Sequence, residues 1–202
     1  MLDRAASAVL KPLLDAGAGL LVRRGIGADA VTWAGFAIGI AAALAIARGA
    51  FGWGLALLLA SRLADGLDGA VARQSQPSDR GAFLDITLDF LFYASIPLAF
   101  AIADPAVNAL PAAVLLAAFI GTGSSFLAFA VMAERRSLNS DAYPQKGLYY
   151  LGGLTEATET LLCFALMCLW PARFAWWAYG FAALCALTIV TRIVGGARTL
   201  RS

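Results

Sequence analysis

The chain has no histidine, so imidazole acid–base chemistry and the usual zinc and non-haem iron sites are excluded at the outset. Its 3 cysteines, Cys163, Cys168 and Cys185, all fall inside apolar runs. That placement excludes a disulfide framework and a thiolate metal site, and leaves them buried apolar roles. Charge is scarce too. Only 14% of residues are Asp, Glu, Lys or Arg while 61% are hydrophobic, and mean hydropathy is +0.78. An ordinary soluble domain is thereby excluded, no nucleic-acid partner is expected, and an integral membrane protein fits.

Apolar runs near 31–48, 51–72, 83–103, 109–133, 148–170 and 174–194 are each long enough, or nearly so, to cross a hydrocarbon core as a helix. The expected fold is all-α and integral to the membrane, with six transmembrane helices. Polar positions inside the second and third runs are expected to fail a simple hydropathy screen. With an even number of spans both termini share one side, which collects Arg4, Lys11, Arg23, Arg24, Arg80, Arg135, Arg136, Lys146, Arg192, Arg198 and Arg201. The other side holds Arg48 and Arg173. The positive-inside rule makes the first side cytoplasmic. Trp53, Trp170, Trp176 and Trp177 then form an aromatic belt at the far surface, with Tyr149 and Tyr150 near the inner one.

Residues 1–24 alternate charges with short apolar groups, so no cleavable signal peptide is expected. Val9, Leu10, Leu13, Leu14, Leu20, Leu21 and Val22 recur at helical spacing beside Lys11, Arg23 and Arg24. They describe an amphipathic helix that lies on the membrane surface or packs on the bundle. A single domain over 1–202 is expected, with 1–24 juxtamembrane and 31–194 the membrane bundle.

Within this apolar sequence sit four carboxylates. Asp65 and Asp68 are three positions apart, and Asp85 and Asp89 four apart, so each pair projects from one face of its helix. Insertion scales charge roughly 2.5–3.5 kcal/mol for one mid-membrane Asp, and so on the order of 10 kcal/mol for four. That cost points to function. The plainer alternative has the acids capping helix ends or pairing with Arg62, Arg73 and Arg80, three bases for four acids. Carboxylates without histidine suit Mg²⁺ or Mn²⁺, whose shells are commonly completed by phosphate oxygens. Gly69 clears space beside the acids, and Arg73 offers a fork for phosphate. Displacement at phosphorus is the natural chemistry, and one acid can be left to take a proton.

The pattern Asp65-x-x-Asp68-Gly69-x-x-Ala72-Arg73, seven residues, then Gly81-x-x-x-Asp85-x-x-x-Asp89 resembles the signature of the CDP-alcohol phosphatidyltransferases. Segments 83–93, 119–126 and 149–156 are similar to a bacterial inner-membrane branch of that family whose acceptor is not established. The resemblance implies two divalent metals, Mg²⁺ or Mn²⁺, bound by Asp65, Asp68 and Asp85, with Asp89 contributing to the metal site and acting as general base. It places Gly69, Ala72, Arg73 and Gly81, together with Asp65 and Asp68, around the CDP moiety of CDP-diacylglycerol. Residues 27–32 are similar to the family's Pro-Asn/Asp-x-x-Thr entry, although Ala28 replaces the proline. Asp29 and Thr32 accordingly either contact the nucleotide or serve as an N-cap and first-turn residue.

A homodimer in the inner membrane, with its site facing the cytoplasm, is implied as well. For the small polar alcohol acceptor, glycerol 3-phosphate and inositol phosphate lead, with Arg135, Arg136, Lys146 and Arg192 as anion-binding candidates. Glu156 and Glu159 are read either as acceptor-recognition groups or as hydrogen-bonded packing groups. Gly35, Gly39, Gly121, Gly123, Ser124 and Ser125 are read as close helix packing. Alternatives are a transferase joining a CDP-linked alcohol to diacylglycerol, a cation transporter with a carboxylate path, and an inactive lipid-binding relative.

Overall fold

In the computed structural model, residues 2–136 and 155–201 are described, with side chains from residue 10 onward. The elements are α1 (Leu2–Arg23), α2 (Ala28–Ala47), α3 (Phe51–Gln74), α4 (Asp79–Ala103), α5 (Pro105–Arg135), α6 (Ala157–Leu169) and α7 (Phe174–Thr199), with a 3₁₀ turn at Pro171–Arg173 before α7. Among the described residues there is no strand.

Six helices follow α1 at the six places the hydropathy pattern marks. Four of them, α2, α4, α5 and α7 with its leading turn, are long and apolar enough to cross a membrane. The helix α3 has the length, at 24 residues, but Arg62, Asp65, Asp68 and Arg73 lower its hydropathy. The other run expected to fail such a screen does not. In α4 an apolar stretch beyond Asp85 brings mean hydropathy to 1.8. The fifth run is seen as the 13-residue helix α6, since 137–154, with Lys146, Tyr149 and Tyr150, lie outside the described residues.

Local chemistry sets the turns. Helix α1 ends with Gly25 at φ 75° and α2 with Gly49 at φ 77°, a conformation that costs glycine nothing. In each case two backbone bonds close the end. Gly25 N–H donates to Val22 and Ile26 N–H to Leu21, and Gly49 and Ala50 repeat the pattern onto Ile46 and Ala45, the Schellman arrangement. Ser78 caps α4 by accepting from Gly81 N–H at 3.0 Å, and Asp104 precedes Pro105 at the first position of α5. Asn108 is buried and donates to the Phe100 carbonyl at 3.1 Å, tying α5 to the end of α4.

The core runs through the centre of the bundle. Phe51, Phe100 and Phe174 stack with centroids 5.6 and 4.7 Å apart, locking the start of α3, the end of α4 and the start of α7 together. Trp53, Trp170 and Trp176 are exposed at that same end, where an interfacial belt would sit. The three cysteines are free and buried. A second cluster of Ala18, Val31, Ala70 and Val71 seats α1 against α2 and α3, while Leu13 and Leu20 face outward. Helix α1 is thus packed along one side on the bundle, with apolar side chains facing outward on the other.

Helix α2 approaches α3 and α4 closely through its glycines. A Cβ at Gly39 would meet the Phe92 ring at 2.6 Å and the Ser61 hydroxyl at 2.9 Å. Gly39→Leu is therefore expected to destabilise the bundle by about 1–3 kcal/mol or more. The check is its melting temperature in detergent, where an unchanged value would show that α2 can withdraw without cost. Gly121 and Gly123 are similarly filled by Ile189 and Phe90, in keeping with their reading as packing positions.

Candidate active site

Asp65 and Asp68 lie on α3, and Asp85 and Asp89 on α4, near adjoining ends of the two helices. The packing of both helices on α2 faces these turns toward each other. One carboxylate oxygen from each of Asp65, Asp68 and Asp85 lies within 4.8 Å of the other two. Asp85 is exposed, Asp65 half-buried and Asp68 only 5% exposed. The Oδ2 of Asp68 is buried without a hydrogen-bond partner, and such a group is costly to leave unmatched. A divalent cation would satisfy that oxygen and offset the mutual repulsion of the three acids. All-oxygen donors select Mg²⁺ or Mn²⁺. The carboxylates gather at one end of the bundle, not along a path through it.

Asp89 lines the same cleft as Asp65 and Asp85, together with Thr32 and Gly35 of α2 and Arg62 of α3. Its orientation is set by that arginine. Arg62 Nη1 donates to Asp89 Oδ1 at 2.6 Å and lies 3.3 Å from Asp65 Oδ1. Asp89 is not among the three mutually close carboxylates. The plainer pairing considered from sequence is thus realised for Arg62 while leaving the Asp65, Asp68 and Asp85 group in place. Arg80 Nε sits 3.5 Å from Asp29 Oδ2, a surface pair of little energetic weight.

The residues expected on the nucleotide side adjoin this group. Gly69 is followed one turn later by Arg73, whose Nη1 folds back to 3.4 Å from where a Gly69 Cβ would stand. A larger residue at 69 would push the guanidinium aside. A Gly81 Cβ would lie 3.3 Å from Asp29 Oδ1, so Gly81 and Asp29 face each other at the starts of α4 and α2. The Thr32 hydroxyl donates to the Ala28 carbonyl at 3.0 Å, and its side chain stands beside the Asp68 carboxylate. Asp29 makes no side-chain cap for α2, whose N-cap is Gly27. Ala72 is half-buried on α3.

The acceptor candidates are dispersed. Arg135 and Arg136 are exposed at the end of α5, and Lys146 lies outside the described residues. Arg192 is 8% exposed and donates to the Thr122 carbonyl at 3.1 Å, with its guanidinium 5.7 Å from the Phe126 ring centroid. It joins α7 to α5 in the interior. Glu156 and Glu159 form a capping box at the start of α6, Glu159 Oε2 accepting from Glu156 N–H at 3.1 Å. They occupy the first turn of α6 and are hydrogen-bonded there.

Residues 26–193 match the CDP-alcohol phosphatidyltransferase family over most of the chain. The chain belongs to the CDP-alcohol phosphatidyltransferase family. It is 52% identical to Inner membrane protein YnjF of Escherichia coli K12 over 202 residues, 100% of this chain and 98% of that one, which places it in the inner-membrane branch read from sequence. It is 43% identical to the phosphatidylinositol phosphate synthase of Streptomyces avermitilis over 91 residues, 44% of this chain and 37% of that one. The fold resembles that of Mycobacterium tuberculosis phosphatidylinositol phosphate synthase crystallised with CDP-DAG bound, with a TM-score of 0.67, 23% identity, and coverage of 92% of this chain and 94% of that one. A second crystal structure of that protein, in complex with manganese and citrate, gives a TM-score of 0.69 at 24% identity, covering 91% and 88%.

Sequence reading of this phosphatidyltransferase underrated Arg62 and Ser61. Their signal was present, since an arginine one helical turn before Asp65 in an apolar run needs a buried partner. Ser61 is fully buried, donates to the Gly35 carbonyl at 2.7 Å and accepts from Arg62 Nη2 at 3.3 Å.

Proposed function

We propose that the chain transfers the phosphatidyl group of CDP-diacylglycerol to the hydroxyl of a small polar alcohol and releases CMP. The observation that carries this reading is the three-carboxylate group with its unpartnered buried oxygen, inside a family signature that handles CDP-linked lipids. Asp65, Asp68 and Asp85 would hold Mg²⁺ or Mn²⁺, two ions per site, with Asp89 contributing to the metal site. When bound, these ions neutralise diphosphate charge and stabilise the entering and leaving oxygens. Arg73 grips a phosphate, with Gly69, Ala72 and Gly81 leaving room for the nucleotide and Asp29 and Thr32 bordering it. Asp89 takes the proton of the acceptor hydroxyl as its oxygen bonds to the phosphatidyl phosphorus. The bond from that phosphorus to the CMP oxygen breaks, and CMP leaves.

Inositol phosphate and glycerol 3-phosphate are the leading acceptors, the first favoured by the names of the phosphatidylinositol phosphate synthases that the chain resembles. Positive charge for such an acceptor is offered by Arg135, Arg136, Lys146 and Arg192. Arg192→Ala is expected to raise the acceptor KM at least about tenfold, the loss of one charge-assisted hydrogen bond, with the CDP-lipid KM unmoved. Equal rises in both would assign Arg192 to holding α5 on α7. The enzyme is read as a homodimeric, single-domain protein of the bacterial inner membrane, its site and both termini cytoplasmic by the distribution of basic residues.

The deciding experiment measures CMP release by purified protein in mixed micelles of CDP-diacylglycerol with Mg²⁺ or Mn²⁺ across a panel of alcohols, with mass spectrometry of the lipid formed. Acceptor-dependent CMP with a matching new lipid supports the reading. A product formed only from a CDP-linked alcohol and diacylglycerol would reverse the substrate roles, and no CMP under any condition would reject transfer.

A further inference from the structure

Arg62 is the one arginine of the described residues that lines the carboxylate cleft, and nothing in the transfer reaction just described uses it. Its side chain is 9% exposed, and its Nε is buried with no hydrogen-bond partner. Burying a cation this incompletely matched is costly unless anions answer it. Two carboxylates do so. Nη1 lies 2.6 Å from Asp89 Oδ1 on α4 and 3.3 Å from Asp65 Oδ1 on α3, while Asp65 and Asp89 are also in side-chain contact with each other. The guanidinium is held from behind. It lies 3.9 Å from the centroid of the fully buried Phe92 ring, and Nη2 donates to Ser61 Oγ, whose hydroxyl is anchored on the Gly35 carbonyl of α2. A planar, permanently charged fork moored to α2, α3 and α4 has little freedom to swing.

Two carboxylates in contact repel, and in a partly buried cleft that repulsion is stronger than in water. Left unanswered, it would push the adjoining ends of α3 and α4 apart and scatter the ligands. Resting on the transferase reading for what the cleft receives, we propose that Arg62 is a positioning residue, a fixed internal cation that holds Asp65 and Asp89 together before any divalent ion arrives. Both acids stay available to the metal. Each carboxylate offers two oxygens and about four lone-pair sites, so a bond to Nη1 through Oδ1 leaves room for an ion on the same group. One guanidinium also cannot match the whole acidic group, which keeps the demand for divalent ions. The site is thereby preassembled, and little of the metal's binding energy goes to drawing two helices together.

The test uses purified full-length protein in detergent, with melting curves in EDTA and in saturating Mn²⁺, and Mn²⁺ titration read by electron paramagnetic resonance. Arg62→Met is expected to lower the metal-free melting temperature by at least about 6 °C, and saturating Mn²⁺ should recover at least about half of that loss. Its Mn²⁺ affinity should fall at least about tenfold. Removing a positive charge by itself would tighten Mn²⁺ binding, so such a loss comes from lost positioning of the ligands; unchanged or tighter binding would overturn the proposal. Adding Asp89→Asn to Arg62→Met should recover at least about half of the lost metal-free melting temperature, because with one acid fewer the repulsion between the pair is gone. No recovery would make Arg62 a packing residue and overturn the proposal. If Arg62→Met does not fold, Arg62→Lys decides, since one ammonium cannot span both acids as a moored fork does. Its Mn²⁺ affinity should be at least about threefold lower, and wild-type affinity would overturn the proposal. None of these readings needs turnover, so an inactive wild type would reject the transferase and leave Arg62 to be judged by melting and Mn²⁺ binding.

Discussion

Asp68→Ala is expected to abolish metal-dependent binding of CDP-diacylglycerol while leaving the protein at least as stable as before. Asp68 is the most buried acid of the group, at 5% exposure, and its Oδ2 has no partner. In the absence of a cation its desolvation and the repulsion from neighbouring acids outweigh its contacts with the Thr32 side chain and the Gly69 backbone, so its removal relieves the fold. On the proposed reading it would be one of the carboxylate ligands of a bound cation. Losing a direct ligand exceeds the 10–100-fold typical of groups one layer out, so affinity for the metal, and for the lipid diphosphate it carries, should fall at least about 100-fold. Calorimetry with Mg²⁺ and Mn²⁺ reads the first effect and a melting curve in detergent the second. Unchanged binding would reject the cage, and a lower melting temperature would make Asp68 a structural residue.

Asp89→Asn is expected to separate binding from chemistry. Asparagine keeps a carbonyl oxygen that Arg62 can grip, and Arg62 retains Asp65 at 3.3 Å as a counter-ion, so α3 and α4 should stay in register. The variant cannot accept a proton. Turnover should drop by about 10²–10⁴-fold, the range for a lost general base, with CDP-lipid affinity within a few fold. Full activity would remove Asp89 from the base role, and parallel loss of lipid binding would place it among the metal ligands.

Much of this was visible in the chain because periodicity and cost act locally. The spacing of Asp65 to Asp68 and of Asp85 to Asp89 fixes which acids share a helix face whatever the helices pack against. Their presence in apolar sequence signals a function that offsets the expense. Gly25 and Gly49, just past helix ends, mark turns through backbone geometry alone. Arg62 was less legible, because its meaning depends on Asp89, 27 residues away, and on the Phe92 face it rests on. Glu156 and Glu159 read as intramembrane acids until the start of α6 was known, since their capping box exists only relative to that boundary. Arg192 looked like a surface cation at a span end, yet α5 covers it.

The sequence by itself determined a helical membrane protein, two acid pairs on separate helix faces, a hard-metal chemistry and a CDP-alcohol phosphatidyltransferase signature, because composition, 3.6-residue periodicity and ligand type are properties of short segments. Only the tertiary structure decided which acids converge, and it brought Asp65, Asp68 and Asp85 within reach of one another with Asp89 against both Asp65 and Arg62. That choice rests on the approach of α2 to α3 and α4 through Gly35 and Gly39, where Ser61 and Phe92 fill the space that larger side chains would have taken. Such a close fit between distant segments is a property of packing, which no single stretch of sequence contains.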